Sequence, residues 1–121
     1  MKSIMQEKSD RSCFICGAEY SYMEEHHVFE GTANRRQSEL YGLKVTLCPE
    51  CHRLSRDSVH MDPRGKKAIT LKKKAQYAFE KEYSHIDFRT IFGFNMLDDE
   101  DRKAFLEEEK PKSEEFGFKF I

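Results

Sequence analysis

Cys13-Phe14-Ile15-Cys16-Gly17 and Cys48-Pro49-Glu50-Cys51-His52 decide how this chain folds. Each is a Cys-x2-Cys knuckle, and 31 residues lie between Cys16 and Cys48. Four thiolates on two tight turns meet the tetrahedral demand of zinc, whose bonds to sulfur are about 2.3 Å long. Gly17 suits a turn that needs unusual backbone angles. With sulfur in all four positions no site stays open, so the zinc is expected to be structural and to help fold the chain.

The rest of the composition agrees with such a staple. Among 121 residues, 38% are hydrophobic and 36% charged, which leaves a small core. Ten Phe and five Tyr supply its anchors in the absence of Trp. No apolar run approaches the roughly 18 residues of a membrane span, and the polar start, Met1 to Asp10, lacks the apolar stretch of a signal peptide. A soluble, cytoplasmic protein without a membrane partner is expected. In that reducing compartment four cysteines point to metal before disulfides.

Outward from the knuckles, residues 1–11 read as a flexible polar lead-in. Residues 12–60 hold every cysteine and four of the five histidines. Little there follows a helical period, so short strands and turns are expected, with a strand at Lys44–Leu47 and a short helix from about Pro49. Beyond Pro63-Arg64-Gly65, the spacing of Ala68, Leu71, Ala75, Ala78 and Phe79 predicts a helix over Lys67–Tyr83. Ser84 reads as the N-cap of a further short helix ending at Phe92. Asp98–Lys110 reads as a charged helix with Phe105 and Leu106 as its apolar contacts.

Charge is uneven. Through Leu97 there are 16 basic and 13 acidic residues, and from Asp98 onward 5 and 9. A mildly basic body, 12–97, followed by an acidic tail, 98–121, suits a polyanion-binding domain with a solvated extension. That tail is expected to fold over the basic surface and compete with DNA by charge, or else to dock a partner through Phe116, Phe118, Phe120 and Ile121 as apolar anchors.

The segment between and after the knuckles is rich in histidine: Glu25-His26-His27-Val28, then His52 directly behind the fourth cysteine, then His60. A zinc frame already filled by sulfur has no use for them, which suggests a second metal site. Neighbouring residues on an extended segment point to opposite sides, so His26 and His27 are expected to divide the work, one ligating and one facing water or substrate.

Taken together, Cys-x2-Cys, His-His and Leu-Cys-x2-Cys-His resemble the HNH, or ββα-metal, endonuclease family with a four-cysteine zinc frame. The run from His26 to Glu39, with Tyr41-Gly42-Leu43 and Leu47 to Arg53, is similar to the phage Ref type, a group described as RecA-dependent nucleases. The resemblance spans residues 12–95. It implies an α+β fold, a small treble-clef-like ββα-metal domain with C-terminal helices. It also implies DNA as substrate and a recombinase filament of the RecA type as partner. Residue by residue, it implies His26, His52 and His60 as ligands of one divalent cation (Zn, Mg, Mn or Ni) and His27 as general base. Many such sequences place a bracing asparagine nearer the second knuckle; here Asn34 is the one asparagine between the knuckles, and either it braces the catalytic loop from its earlier position or that role is absent.

Hydrolysis of a phosphodiester suits these residue types. A neutral imidazole near pKa 6.5 accepts a proton from water at pH 7, and a divalent cation neutralises charge at the phosphate. Arg35, Arg36, Arg53, Arg56, Arg64, Lys66, Lys67 and the Lys72–Lys74 run are candidate phosphate contacts, which would position DNA without reading its sequence. Two other functions share the cysteine frame. One is a non-catalytic zinc module that binds nucleic acid or protein. The other is a scaffold descended from a nuclease. Neither requires His26, His27 and His52 together.

Overall fold

A computed structural model describes residues 2–109. The anchors expected at Phe116, Phe118, Phe120 and Ile121 lie outside them. The fold is a small mixed α+β arrangement of one two-stranded sheet and four helices. In order these are β1 (Glu24–His27), α1 (Thr32–Tyr41), β2 (Lys44–Leu47), a π-helical turn (Glu50–Leu54), α2 (Lys66–Glu82), α3 (Phe88–Phe92) and α4 (Asp99–Glu109). The strands are antiparallel, with His26 opposite Val45 and His27 opposite Lys44.

Helix α1 departs from the expectation of turns between the knuckles. Its sequence, Thr-Ala-Asn-Arg-Arg-Gln-Ser-Glu-Leu-Tyr, carries no apolar stripe, and Ser38 is its buried residue. A polar anchor takes the place of an apolar one. The Ser38 hydroxyl accepts from the Phe29 amide and donates to the Phe29 carbonyl, both at 3.1 Å. These bonds hold the end of β1 against the helix. Gly42 closes α1 in the left-handed conformation, φ +73°, and the Leu43 amide returns to the Ser38 carbonyl at 2.8 Å. The chain then enters β2 alongside the strand it left.

Phe29 and Phe79 organise the core. Phe29 meets the rings of Phe88, Phe92 and Phe94, and Phe79 meets those of Tyr41, Tyr83, Phe88 and Phe92. Helix α2 runs close to its expected span and buries Ala68, Leu71, Ala75, Gln76 and Phe79. Ala78, read as part of that face, is half-buried, and Gln76 is buried instead. The Gln76 amide is fully used: it donates to Asn95 at 2.7 Å and to Glu80 at 2.9 Å, and accepts from the Met96 amide at 2.7 Å. This is a polar clamp on the segment after α3. The cap of α3 is Asp87, not Ser84. Its carboxylate accepts from the Thr90 amide at 3.2 Å, and Ser84 lies in the preceding turn.

Both ends of the described chain are tied down more than their polarity suggests. In the lead-in, expected to be flexible, the Ile4 amide donates to the Gly42 carbonyl at 2.9 Å and Gln6 accepts from the Thr46 amide at 2.9 Å. These bonds occupy the free edge of β2, which satisfies backbone groups that a bare edge strand leaves unpaired. The acidic helix α4 docks on α2. Arg102 reaches both carboxylate oxygens of Glu80 at 2.8 and 2.9 Å, Asp101 pairs with Lys73 at 3.1 Å, and Phe105 packs on Tyr77.

Gly42 joins these two features. A side chain there would strain the positive φ and collide with the Lys2 carbonyl oxygen. Gly42→Ala is expected to lower stability by at least about 1–2 kcal/mol and to strip hydrogen-exchange protection from the Ile4 amide. Thermal unfolding and amide exchange check both effects. Protection at Ile4 equal to that of the native protein would mean that the lead-in does not depend on this contact.

Candidate metal centre

The first knuckle folds on itself. The Gly17 amide donates to the Cys13 carbonyl, and the Cys13 amide to the Ala18 carbonyl, each at 2.8 Å, with Gly17 at φ +80°. The Phe14 amide donates to the Thr46 carbonyl at 2.9 Å, which stitches this knuckle to β2. The second knuckle begins where β2 ends and continues into the π-helical turn, and the Cys51 amide points at the Cys48 sulfur at 3.4 Å.

All four sulfurs lie within 4.8 Å of one another. Cys16 Sγ and Cys48 Sγ are 3.8 Å apart. A tetrahedron with metal–sulfur bonds of about 2.3 Å has edges of about 3.8 Å, so the spacing fits zinc. The thiols' acidities differ. Burial pushes Cys48 and Cys51 up, and neighbouring sulfurs push Cys51 further. Burial opposes ionisation of Cys13 too, but backbone amides of Cys16, Cys48 and Ile15 hold it down at about 7. Burying several thiolates together is costly unless a cation neutralises them, which is what a zinc ion supplies.

Three histidines converge beside this frame. The ring nitrogens of His26, His52 and His60 also lie within 4.8 Å of one another. The His26 ring centroid is 5.0 Å from that of His52 and 5.2 Å from that of His60, and His52 Nε2 is 3.0 Å from His60 Nε2. His26 comes from β1 and His52 from the π-helical turn. His60 comes from a loop that folds back on the turn. There the Val59 amide donates to the Cys51 carbonyl at 2.9 Å and the His60 amide to the His52 carbonyl at 3.1 Å. That return explains how an eight-residue gap, longer than one helical step, still brings the third ring to the cluster.

His26 is 4% exposed. Burial first, then repulsion from His52 and His60, pushes its pKa down to about 3. It is therefore a neutral imidazole at pH 7, with a lone pair to offer. Three imidazole nitrogens at one point suit a borderline cation such as zinc or nickel more than magnesium, which prefers oxygen ligands.

His27 does not join the cluster. The period of two along β1 sends it to the opposite side, with Glu25. There its Nε2 meets Glu39 Oε1 at 2.9 Å, and Lys44 Nζ lies 3.1 Å from the Glu39 carboxylate. Asn34, expected to brace the catalytic loop, stands half-buried on α1, and among the described residues it makes no hydrogen bond to a histidine. Carboxylates, not an asparagine, stand beside the rings of the cluster. Glu24 Oε1 accepts from His52 Nδ1 at 2.8 Å, and Glu30 Oε1 lies 3.5 Å from His60 Nδ1. Hydrogen bonds from Arg53, then from His52, hold the Glu24 carboxyl at about 2, well below the usual range. Alternation along β1 was the signal for Glu24: two residues before His26, it shares that residue's face. Glu39 had no such signal, because helix α1 carries it there.

The basic candidates separate into two groups. Arg53 is clamped to Glu24, Lys67 is paired with Asp57 at 3.1 Å, and Lys73 with Asp101. These are not free phosphate contacts. Arg35, Arg36, Arg56 and Lys66 are exposed, and no ion pair engages them among the described residues. In the same set no helix is long and apolar enough to cross a membrane.

No family model, curated protein or solved structure matches the chain. The cysteine frame yields the first chemical expectation for it. The purified protein should carry one tightly held zinc, and Cys48→Ser should release it and lower the unfolding temperature. Elemental analysis with and without a strong chelator measures this. A zinc-free protein that unfolds at the same temperature in chelator would remove the frame's structural role.

Proposed function

We propose that this chain is a metal-dependent endonuclease of the ββα-metal, HNH-like kind that hydrolyses DNA phosphodiester bonds. One observation carries the reading: His26, His52 and His60 converge over a four-cysteine frame. The order of elements supports it. Strand β1 and the π-helical turn that follows β2 carry the first two ligands, with α1 inserted between the strands.

An ion held by the three rings would neutralise charge at the scissile phosphate and the leaving oxygen. The chain's own residues do the rest. His26, buried and neutral, anchors the ion's position from the rigid strand. His52 and His60 complete a three-nitrogen face and leave its outer side to substrate, as catalytic sites do and structural ones do not. Helix α1 starts two residues after Glu30, the neighbour of His60, so Arg35 and Arg36 sit on an element that begins at the edge of the cluster. With Arg56 and Lys66 they would hold phosphates by charge, without sequence preference.

His27, expected as the general base, faces away from the three ligands, as the alternation along β1 implies. Its Nε2 is engaged by Glu39 at 2.9 Å on the other face of β1, so this reading gives the proton to a different group. Glu30, partly exposed beside His60, is the carboxylate on the correct side.

Plasmid nicking with and without divalent ions tests the proposal. The native protein should nick supercoiled DNA in the presence of manganese, nickel or zinc. His26→Ala and His52→Ala should abolish nicking and the second ion while keeping the cysteine zinc. Absence of nicking under all these metals would favour a non-catalytic zinc module. The base is tested separately. His27→Ala should lose less than about tenfold in rate. A loss of about 10²–10⁴-fold, the usual contribution of a general base, would return that role to His27.

A further inference from the structure

The Glu24 carboxylate is partly buried and fully engaged. Its side chain is 10% exposed, and every part of the carboxylate is occupied. Oε1 accepts from His52 Nδ1 at 2.8 Å. Oε2 accepts from the Tyr22 hydroxyl at 3.0 Å. Arg53 Nε lies 3.1 Å from one oxygen and 3.0 Å from the other, and a terminal nitrogen of Arg53 lies 3.0 Å from Oε2. A carboxylate with this many partners cannot rotate without breaking several bonds at once.

The consequence falls on His52. An ionised carboxylate only accepts, so the ring nitrogen facing it must carry the proton. A neutral imidazole has one such proton. His52 Nε2 is therefore left with a bare lone pair, and that nitrogen points at His60 Nε2, 3.0 Å away. On the other side of His60, Nδ1 faces Glu30. Without an ion, a proton on His60 Nε2 bridges the two nitrogens as an N–H···N hydrogen bond; a cation bound there would take the place of that proton and meet the His52 lone pair directly. The pattern is a carboxylate behind a histidine that faces a metal, which raises the basicity of the ligand nitrogen and fixes the ring.

We propose that Glu24 is a positioning residue for the ion on His26, His52 and His60: it locks His52 with Nδ1 protonated, so that Nε2 is presented to the ion. This rests on the reading that the three histidines hold a divalent cation. It also assigns Arg53 and Tyr22 a role as anchors of the Glu24 carboxylate.

The test uses the full chain, loaded with zinc at the cysteines and then titrated with cobalt(II), whose visible bands report ligand geometry. Native protein should gain one cobalt with visible absorption that His26→Ala abolishes. Glu24→Gln should bind cobalt about 10–100-fold more weakly, with shifted bands and the cysteine zinc retained. Arg53→Met leaves the Glu24–His52 bond in place and should lose less than Glu24→Gln. An equal loss in the two variants would mean that the ion pair matters only for folding, and would overturn the proposal. Equal cobalt affinity in native protein and Glu24→Gln would overturn the role of Glu24 alone. A native protein that takes up no second ion would overturn the metal reading and this inference together. A measurement on unmutated protein guards against a variant that does not fold. Nitrogen-15 chemical shifts of His52 should report a protonated Nδ1 both before and after zinc is added to the histidine site. A protonated Nε2 in the unliganded site contradicts the proposal.

Discussion

The pairing of His26 with Val45 across the two strands is the constraint on which both clusters depend. It gives β1 one face toward the π-helical turn and another toward α1. Glu24 and His26 fall on the first, Glu25 and His27 on the second. A slip of one residue would exchange every side chain between the faces, placing His27 with His52 and His60 and stranding His26 beside Lys44. The register is held by more than the strand bonds. Val28, Leu43, Val45 and Leu47 are buried, Ser38 clips the end of β1, and the lead-in covers the open edge of β2.

The four cysteines act on the same geometry from the other end. Cys51 and His52 are adjacent in the π-helical turn, so whatever fixes Cys51 in the frame also limits where His52 can be. Adjacent residues on a helical turn point in different directions, so Cys51 faces the sulfurs while His52 turns toward Glu24 on β1. The loop behind it returns through backbone bonds to Cys51 and His52, so His60 is positioned by the same two residues. The proposed catalytic ion and the sulfur frame thus meet at two adjacent residues, Cys51 and His52. Loss of zinc from the cysteines would loosen the histidines before it touched the distant helices.

Charge is distributed to serve this arrangement in part. Arg53, Lys67 and Lys73 are bound to acidic neighbours, and α4 places carboxylates along the lysine-bearing side of α2. The exposed cations that stay unpaired among the described residues include Arg35, Arg36, Arg56 and Lys66. A polyanion would meet these first. The filament partner implied by the sequence resemblance has no counterpart in these charges, since a partner's surface leaves no spacing or ligand geometry in a single chain.

Much of the centre was legible in the residues alone. Cysteine spacing specifies a tetrahedral cluster because sulfur chemistry and turn length are local properties. The histidine set could be read as a second site because no zinc frame needs it, and the opposition of His26 and His27 follows from strand geometry. The strand at Lys44–Leu47 and the long helix α2 were readable from their periods. Tertiary structure decided the remainder. Helix α1 has no apolar stripe, and a buried serine and the chain on either side of it support it instead. Asp87 rather than Ser84 caps α3, because the turn before it shifts the helix start. Glu24 and Glu39 became braces, and Arg53 an anchor rather than a phosphate contact, through partners 12 to 29 residues away. The sequence by itself determined that the chain carries two cysteine knuckles and a set of histidines able to ligate, since that depends on residue type and short spacing. Only the folded structure decided which nitrogen and which carboxylate face each other, because those contacts depend on the register and packing of segments far apart in the chain.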